Sequence, residues 1–126
     1  MKGKKDSVLD ALKQAAKGLQ YTSETEAPLE AFLWEDTSAK LTNQRLLALA
    51  GEEEGTAVEQ ESLDDFFHAV PPEDKEKFDK LAKVIEEQLS GVKVYKVGDE
   101  AEKRAYIVGK TKDGKWSGLK ATVVET

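Results

Sequence analysis

Carboxylates dominate the reactive side chains of this chain, and their spacing decides what they are good for. Asp64-Asp65 and Glu86-Glu87 are adjacent pairs. Neighbouring positions on a helix point in different directions, so neither pair makes an acid–base dyad. His68 is the only histidine and follows Phe66-Phe67. With no second histidine and no glycine-rich turn beside it, it reads as a structural or surface residue. The absence of cysteine removes disulfides, thiolate metal ligands and thiol nucleophiles together. No phosphate-cradling loop, nucleophile elbow or metal-ligand spacing is found. Two further groups of acceptor oxygens remain. Ser23-Glu24-Thr25-Glu26 has the spelling of a capping box, but Pro28 follows too soon for a helix to start there. The terminal Val123-Val124-Glu125-Thr126 keeps strand character to its last residue, so the carboxylate of Thr126 is expected at a defined place just beyond a sheet strand. These residues favour a binding module over an enzyme.

Composition agrees. The chain has 126 residues, 39% apolar and 35% charged, which suits one folded domain over 1–126 with a strongly solvated surface. The net charge is -6. That sign repels nucleic acid and anionic lipid, so neither is expected as a partner, and any macromolecular partner should be basic. Lys2, Lys4 and Lys5 are not backed by the interleaved aromatics that nucleic-acid binding needs. No apolar run of signal-peptide or membrane-span length is seen, so no export signal is read and a cytoplasmic location is expected.

Hydrophobic periodicity supplies the elements. Asp6-Ser7 are expected to cap a helix through Val8, Leu9, Leu12, Ala15, Ala16 and Leu19, with Gly18 as its stop. Tyr21–Pro28 reads as a polar loop feeding a strand over 29–34. Thr42 should cap a helix from Asn43 to Ala50 that Gly51 ends, followed by an acidic turn, Glu52-Glu53-Glu54-Gly55. A short edge strand is expected over 56–59, and a helix from Ser62 with Asp64 and Asp65 in its first turn, where the dipole favours acids. Pro71-Pro72 open the longest helix, whose stripe is Phe78, Leu81, Ala82, Ile85 and Leu89, ended by Gly91. The remainder reads as three strands, with Asp113-Gly114 as a hairpin turn. Trp34 is expected in the core and Trp116 on the sheet surface. Helices first and a three-strand antiparallel meander last is an α+β pattern, with helices packed on the sheet.

Several segments are more specific than composition. Ala11-Leu12-Lys13-Gln14-Ala15 with Gly18-Leu19, and Ser23-Glu24-Thr25-Glu26-Ala27-Pro28-Leu29-Glu30-Ala31-Phe32-Leu33-Trp34-Glu35, stand near one end. Val94-Tyr95-Lys96-Val97-Gly98, Tyr106-Ile107-Val108-Gly109-Lys110-Thr111 and Thr122-Val123-Val124-Glu125-Thr126 stand near the other. In order and spacing the chain resembles the nuclease A inhibitor family, inhibitors of sugar-non-specific, magnesium-dependent endonucleases.

The resemblance implies an α/β/α sandwich with a mainly antiparallel sheet, no cofactor, no catalysis of its own and a non-specific endonuclease as protein partner, the inhibitor being a monomer when alone. It also implies that Glu24 and the terminal Thr126 enter the nuclease active site, with Glu125 beside them. Thr126 would reach the nuclease's magnesium; the chain itself would hold no metal. One departure concerns an accessory contact, an aspartate–tryptophan pair on a longer acidic loop in the family. Here the segment 69–77 is shorter. Asp74 aligns with the aspartate, and Lys75 stands where the tryptophan would be.

Overall fold

The computed structural model describes residues 5–22, 26–98 and 101–124. The chain runs α1 (Lys5–Ala16), β1 (Gln20–Thr22), β2 (Glu26–Pro28), β3 (Glu30–Trp34), α2 (Asn43–Ala50), β4 (Val58–Glu61), α3 (Leu63–His68), a single 3-10 turn (Pro72–Asp74), α4 (Lys75–Gln88), β5 (Ser90–Val97), β6 (Glu102–Lys110) and β7 (Trp116–Val124). Five strands form one sheet in the order β3-β7-β6-β5-β4, and β1 pairs with β2 separately. All pairings are antiparallel. The architecture is α+β, with β5, β6 and β7 as the meander.

Two apolar clusters lie on opposite faces of this sheet, because successive side chains of a strand alternate. In β6, Ala105 and Ile107 join Val94, Leu119, Ala121 and Val123 beneath α1, α3 and α4. Tyr106 and Val108 point the other way, to Tyr95, Val97, Trp116 and the α2 leucines Leu46 and Leu47. Helices therefore cover both faces: α1, α3 and α4 on one, α2 on the other. Fully burying a side chain such as Phe78 or Ile85 is worth about 1.5–3 kcal/mol. Both clusters thus contribute heavily to holding the layers together.

Local signals set the helix ends. Thr42 accepts the Arg45 amide on its hydroxyl at 3.1 Å. Gly51, at φ 75°, turns the chain out of α2 while the Glu52 amide donates to the Leu47 carbonyl at 2.9 Å. Ser62 caps α3 by accepting the Asp65 amide at 3.0 Å. In the β6–β7 turn, Gly114 takes φ 85° and Thr111 accepts the Lys115 amide at 3.0 Å.

Six expectations are corrected. The segment 21–28 is not simply a loop: Gln20–Thr22 and Glu26–Pro28 pair as strands, with Tyr21 opposite Ala27. The first helix spans Lys5–Ala16, so Asp6 and Ser7 lie within it rather than cap it. The fourth strand is Val58–Glu61, displaced from 56–59. Pro72 opens a 3-10 turn, and the α-helix proper begins at Lys75. Leu89 is already extended and caps α4, so Gly91, at φ 61°, sits inside β5 at a register shift between Ser90 and Lys93 rather than ending the helix. Finally, Trp116 is 9% exposed and joins the α2-side cluster, whereas Trp34 is only half-buried at the rim of that cluster. The pleat explains the tryptophans: both point to the α2 face from the paired positions Trp34↔Trp116, and β7 is interior while β3 is an edge.

Candidate functional site

The β1–β2 pair brings Thr22 opposite Glu26, so both feet of residues 23–25 are placed. Tyr21 fixes this pair to the core. Its ring stacks on Phe66 at 4.1 Å and meets Phe78 edge-on at 6.3 Å. Its hydroxyl donates to the Phe66 carbonyl at 2.8 Å. A short two-stranded ribbon is marginal in isolation. Here one aromatic side chain ties it to α3 and α4.

The other end of the chain comes to the same region. Strand β3 runs against β7 with Glu30 opposite Lys120 and Trp34 opposite Trp116. Moving back from Glu30 towards Glu26 therefore leads along β7 towards Val124, and both β1 and β2 contact β7. Val124 is itself paired with Glu102. Glu24, Glu125 and Thr126 lie outside the described residues; their neighbours Glu26 and Val124 stand towards one end of the sheet.

Asp74 joins them. It lies at the junction of the 3-10 turn and α4, its amide donating to the Pro71 carbonyl at 2.9 Å. Its carboxylate makes no cap bond to α4. Instead Asp74, Glu26 and Lys77 line a surface depression of about 170 Å³ floored by Phe78 and Leu19. Lys75 points along the helix to Asp79 at 3.5 Å, with the two side chains 66% and 65% exposed.

The other acidic candidates are dispersed. Asp64 and Asp65 are exposed in the first turn of α3, and His68 is exposed at its end. Glu86 and Glu87 are exposed on α4. Among the described residues, no group of three or more histidine, cysteine, aspartate or glutamate side chains is arranged to hold a metal ion. No described helix is long and apolar enough to cross a membrane.

One polar cluster escaped sequence reasoning. Glu52 belongs to the stretch read as an acidic turn, yet it reaches back to the sheet. Arg104 donates to it twice, at 3.0 and 2.7 Å, and the Tyr106 hydroxyl donates at 2.7 Å. The Arg104 hydrogen bonds hold the Glu52 carboxyl below its usual range, against the opposing pull of burial. The same pair raises Arg104, and burial, followed by Glu52, raises the Tyr106 phenol. Glu53, Glu54 and Glu102 extend the acidic rim of an open pocket here. The available signal was Gly51: a left-handed helix stop redirects the next residue towards the body of the protein.

A family model described as Nuclease A inhibitor-like protein matches residues 6–126. The chain belongs to this family. The match includes the positions of Glu24, Asp74, Glu125 and Thr126. No curated protein matches the chain significantly. Membership of an inhibitor family agrees with the lack of a catalytic constellation in the sequence, and it associates the fold with a nuclease as protein partner.

Proposed function

We propose that this protein inhibits a magnesium-dependent, sugar-non-specific endonuclease by plugging its active site, and that it is not itself an enzyme. The observation that carries this reading is the family match over residues 6–126. Two placements support it: the Glu26 foot of the 23–25 segment lies beside Asp74, and β2 lies along β7, which leads to the C-terminus. In this mechanism Glu24 presents a carboxylate to the basic residues that grip the scissile phosphate. The carboxylate of Thr126, with its hydroxyl, offers oxygens to the nuclease's magnesium, a hard cation that prefers oxygen ligands. Neither group contains a bond the nuclease cleaves, so the complex is a dead end. Glu125 and Asp74 add contacts at the rim, and the net charge of -6 speeds encounter with a basic surface. The protein acts as a cytoplasmic monomer of one domain and carries no cofactor.

The test is inhibition of a purified magnesium-dependent nuclease of this class by the intact chain and by a chain lacking Thr126 or amidated at its carboxylate. Removing one partner of a desolvated charge contact costs about 2–5 kcal/mol, so inhibition should weaken on the order of thirty- to several-thousand-fold. Equal inhibition by the blocked chain would remove the plug mechanism.

Lys75 supports a second reading. Where the family resemblance puts an aromatic anchor, this chain has an exposed lysine paired with Asp79. An adaptor of the same fold, bound to a different basic protein, would not need that anchor. Failure of the intact chain to inhibit any such nuclease favours this alternative.

A further inference from the structure

The two edges of the five-stranded sheet differ. On β4, Val58-Glu59-Gln60-Glu61, charge interrupts the strand, and the side chains of Glu59 and Glu61 are paired to lysines. Charged, short edges resist addition of a further strand. On β3 the one charge is Glu30 at the first position, and residues 31–34, Ala-Phe-Leu-Trp, carry none. The Phe32 carbonyl faces β7, where the Ser117 hydroxyl donates to it at 2.6 Å. Amide and carbonyl of one strand residue point to the same side, and successive residues alternate. The backbone groups of Ala31 and Leu33 therefore point outward. Among the described residues, no strand pairs with that side.

Beside this edge runs an open groove of about 750 Å³ between the end of α1 and the start of β3, lined by Lys13, Lys17, Leu19, Leu29, Glu30 and Ala31 among others. Lys13 and Lys17 are exposed, and no ion pair holds either among the described residues. Two lysines against the single carboxylate of Glu30 leave the lining positive in a chain of net charge -6, a local inversion of sign. A basic nuclease does not suit it.

We propose that the β3 edge and this groove form a second docking surface, which takes an extended acidic segment of another protein as a sixth strand. Backbone groups of Ala31 and Leu33 supply the ladder, and Lys13 and Lys17 meet the segment's carboxylates. The surface is independent of the nuclease reading and of the residues assigned to it.

The probe is a fluorescent hexapeptide alternating glutamate with valine, and its lysine–valine counterpart is the control. Anisotropy is read on the full chain, together with amide exchange at Ala31 and Leu33. The acidic peptide should bind and protect those two amides; the basic one should not. Ala31→Pro removes one outward donor and blocks the edge, so it should weaken binding on the order of ten-fold or more. The exposed double variant Lys13→Glu/Lys17→Glu, which leaves β3 intact, should weaken it roughly five-fold, as expected for two screened surface charges. Sedimentation of the chain alone covers the remaining occupant. A dimer abolished by Ala31→Pro would assign the edge to a second copy and overturn the proposal. Equal binding of both peptides, or no binding of either, would overturn it too.

Discussion

Arg104 grips Glu52 through two hydrogen bonds, Nε to Oε2 at 3.0 Å and Nη2 to Oε1 at 2.7 Å, from residues 52 positions apart. The geometry is the bidentate fork that makes arginine–carboxylate pairs strong. It fastens the end of α2 to β6, and Tyr106 adds a third donor. The Glu52 side chain is 13% exposed and that of Arg104 is 31% exposed, so solvent screens the pair only in part. Glu52→Gln should cost about 1.5–3 kcal/mol, the range for hydrogen bonds to a charged group. Urea unfolding monitored by circular dichroism reads this as a lower midpoint with an unchanged slope.

The same cluster dictates a pH dependence. The folded-state pKa of Glu52 is lowered, so the folded chain releases this proton more readily than the unfolded one. Its stabilisation is present above the ordinary carboxylate value of about 4.3 and is lost as pH falls towards the lowered folded value. Tyr106 is raised by burial and by Glu52. Its contribution is present below the ordinary phenol value of about 10 and is lost as pH climbs above it. Melting temperature against pH should therefore fall less steeply on the acid side in Glu52→Gln than in the parent. On the alkaline side, Tyr106→Phe should flatten the fall. Parallel acid limbs for parent and Glu52→Gln would assign acid unfolding to other carboxylates.

How legible these features were depends on how local their causes are. Thr42 and Gly51 bracket α2 by contacts within one helical turn, and both were readable in the sequence. So was the Phe78–Leu81–Ile85 stripe, which needs only a 3.6-residue period. The β1–β2 pair was not, because a three-residue strand has no period. Its anchor, Tyr21 on Phe66, spans 45 positions. Arg104 on Glu52 was hidden for the same reason. Of the candidate site, the structure shows Asp74 near Glu26, while the role of Asp74 as a contact rests on the family resemblance. Glu24, Glu125 and Thr126 rest on the family resemblance, since no rule of spacing marks a loop glutamate or a chain terminus as an interface.

Gly118 is required by close approach rather than by flexibility. A Cβ built there falls onto the carbonyl oxygen of Ile107 in β6. Backbone cannot yield as a side chain tip would, and β6 is paired on both sides. Gly118→Ala should destabilise by about 3 kcal/mol or more, at the upper end of overpacking costs. Gly114→Ala, with open space around it but φ 85°, should cost about 1 kcal/mol. Melting temperatures of the two variants rank them, and equal losses would contradict the crowding at Gly118.

Tyr21 separates stability from function. Tyr21→Phe keeps the ring on Phe66 but removes the bond to the Phe66 carbonyl. The loss should be about 0.5–1.5 kcal/mol, whereas Tyr21→Ala empties a core position and should cost about 3–5 kcal/mol. If the β1–β2 pair presents Glu24 to a nuclease, Tyr21→Phe should also speed dissociation of the complex while association stays near the parent rate. Surface plasmon resonance distinguishes this from a purely structural role, which would change neither rate for the folded fraction.

Lys75 offers the most direct probe of the accessory contact. Its partner Asp79 is largely exposed, and such a pair contributes at most about 0.5 kcal/mol to the helix. Lys75→Trp should therefore leave the melting temperature nearly unchanged. The new indole would stand next to Asp74, at the rim of the depression shared with Glu26. A buried aromatic anchor commonly carries 1–2 kcal/mol or more of an interface, so affinity for the nuclease should rise on the order of ten-fold. Competition titration of parent and variant against one nuclease measures this. A gain that disappears when Asp74→Ala is added places both residues in the same contact. A gain indifferent to Asp74→Ala places the tryptophan elsewhere, and no gain means the shortened 69–77 segment stands too far from the nuclease for any side chain at this position to reach it.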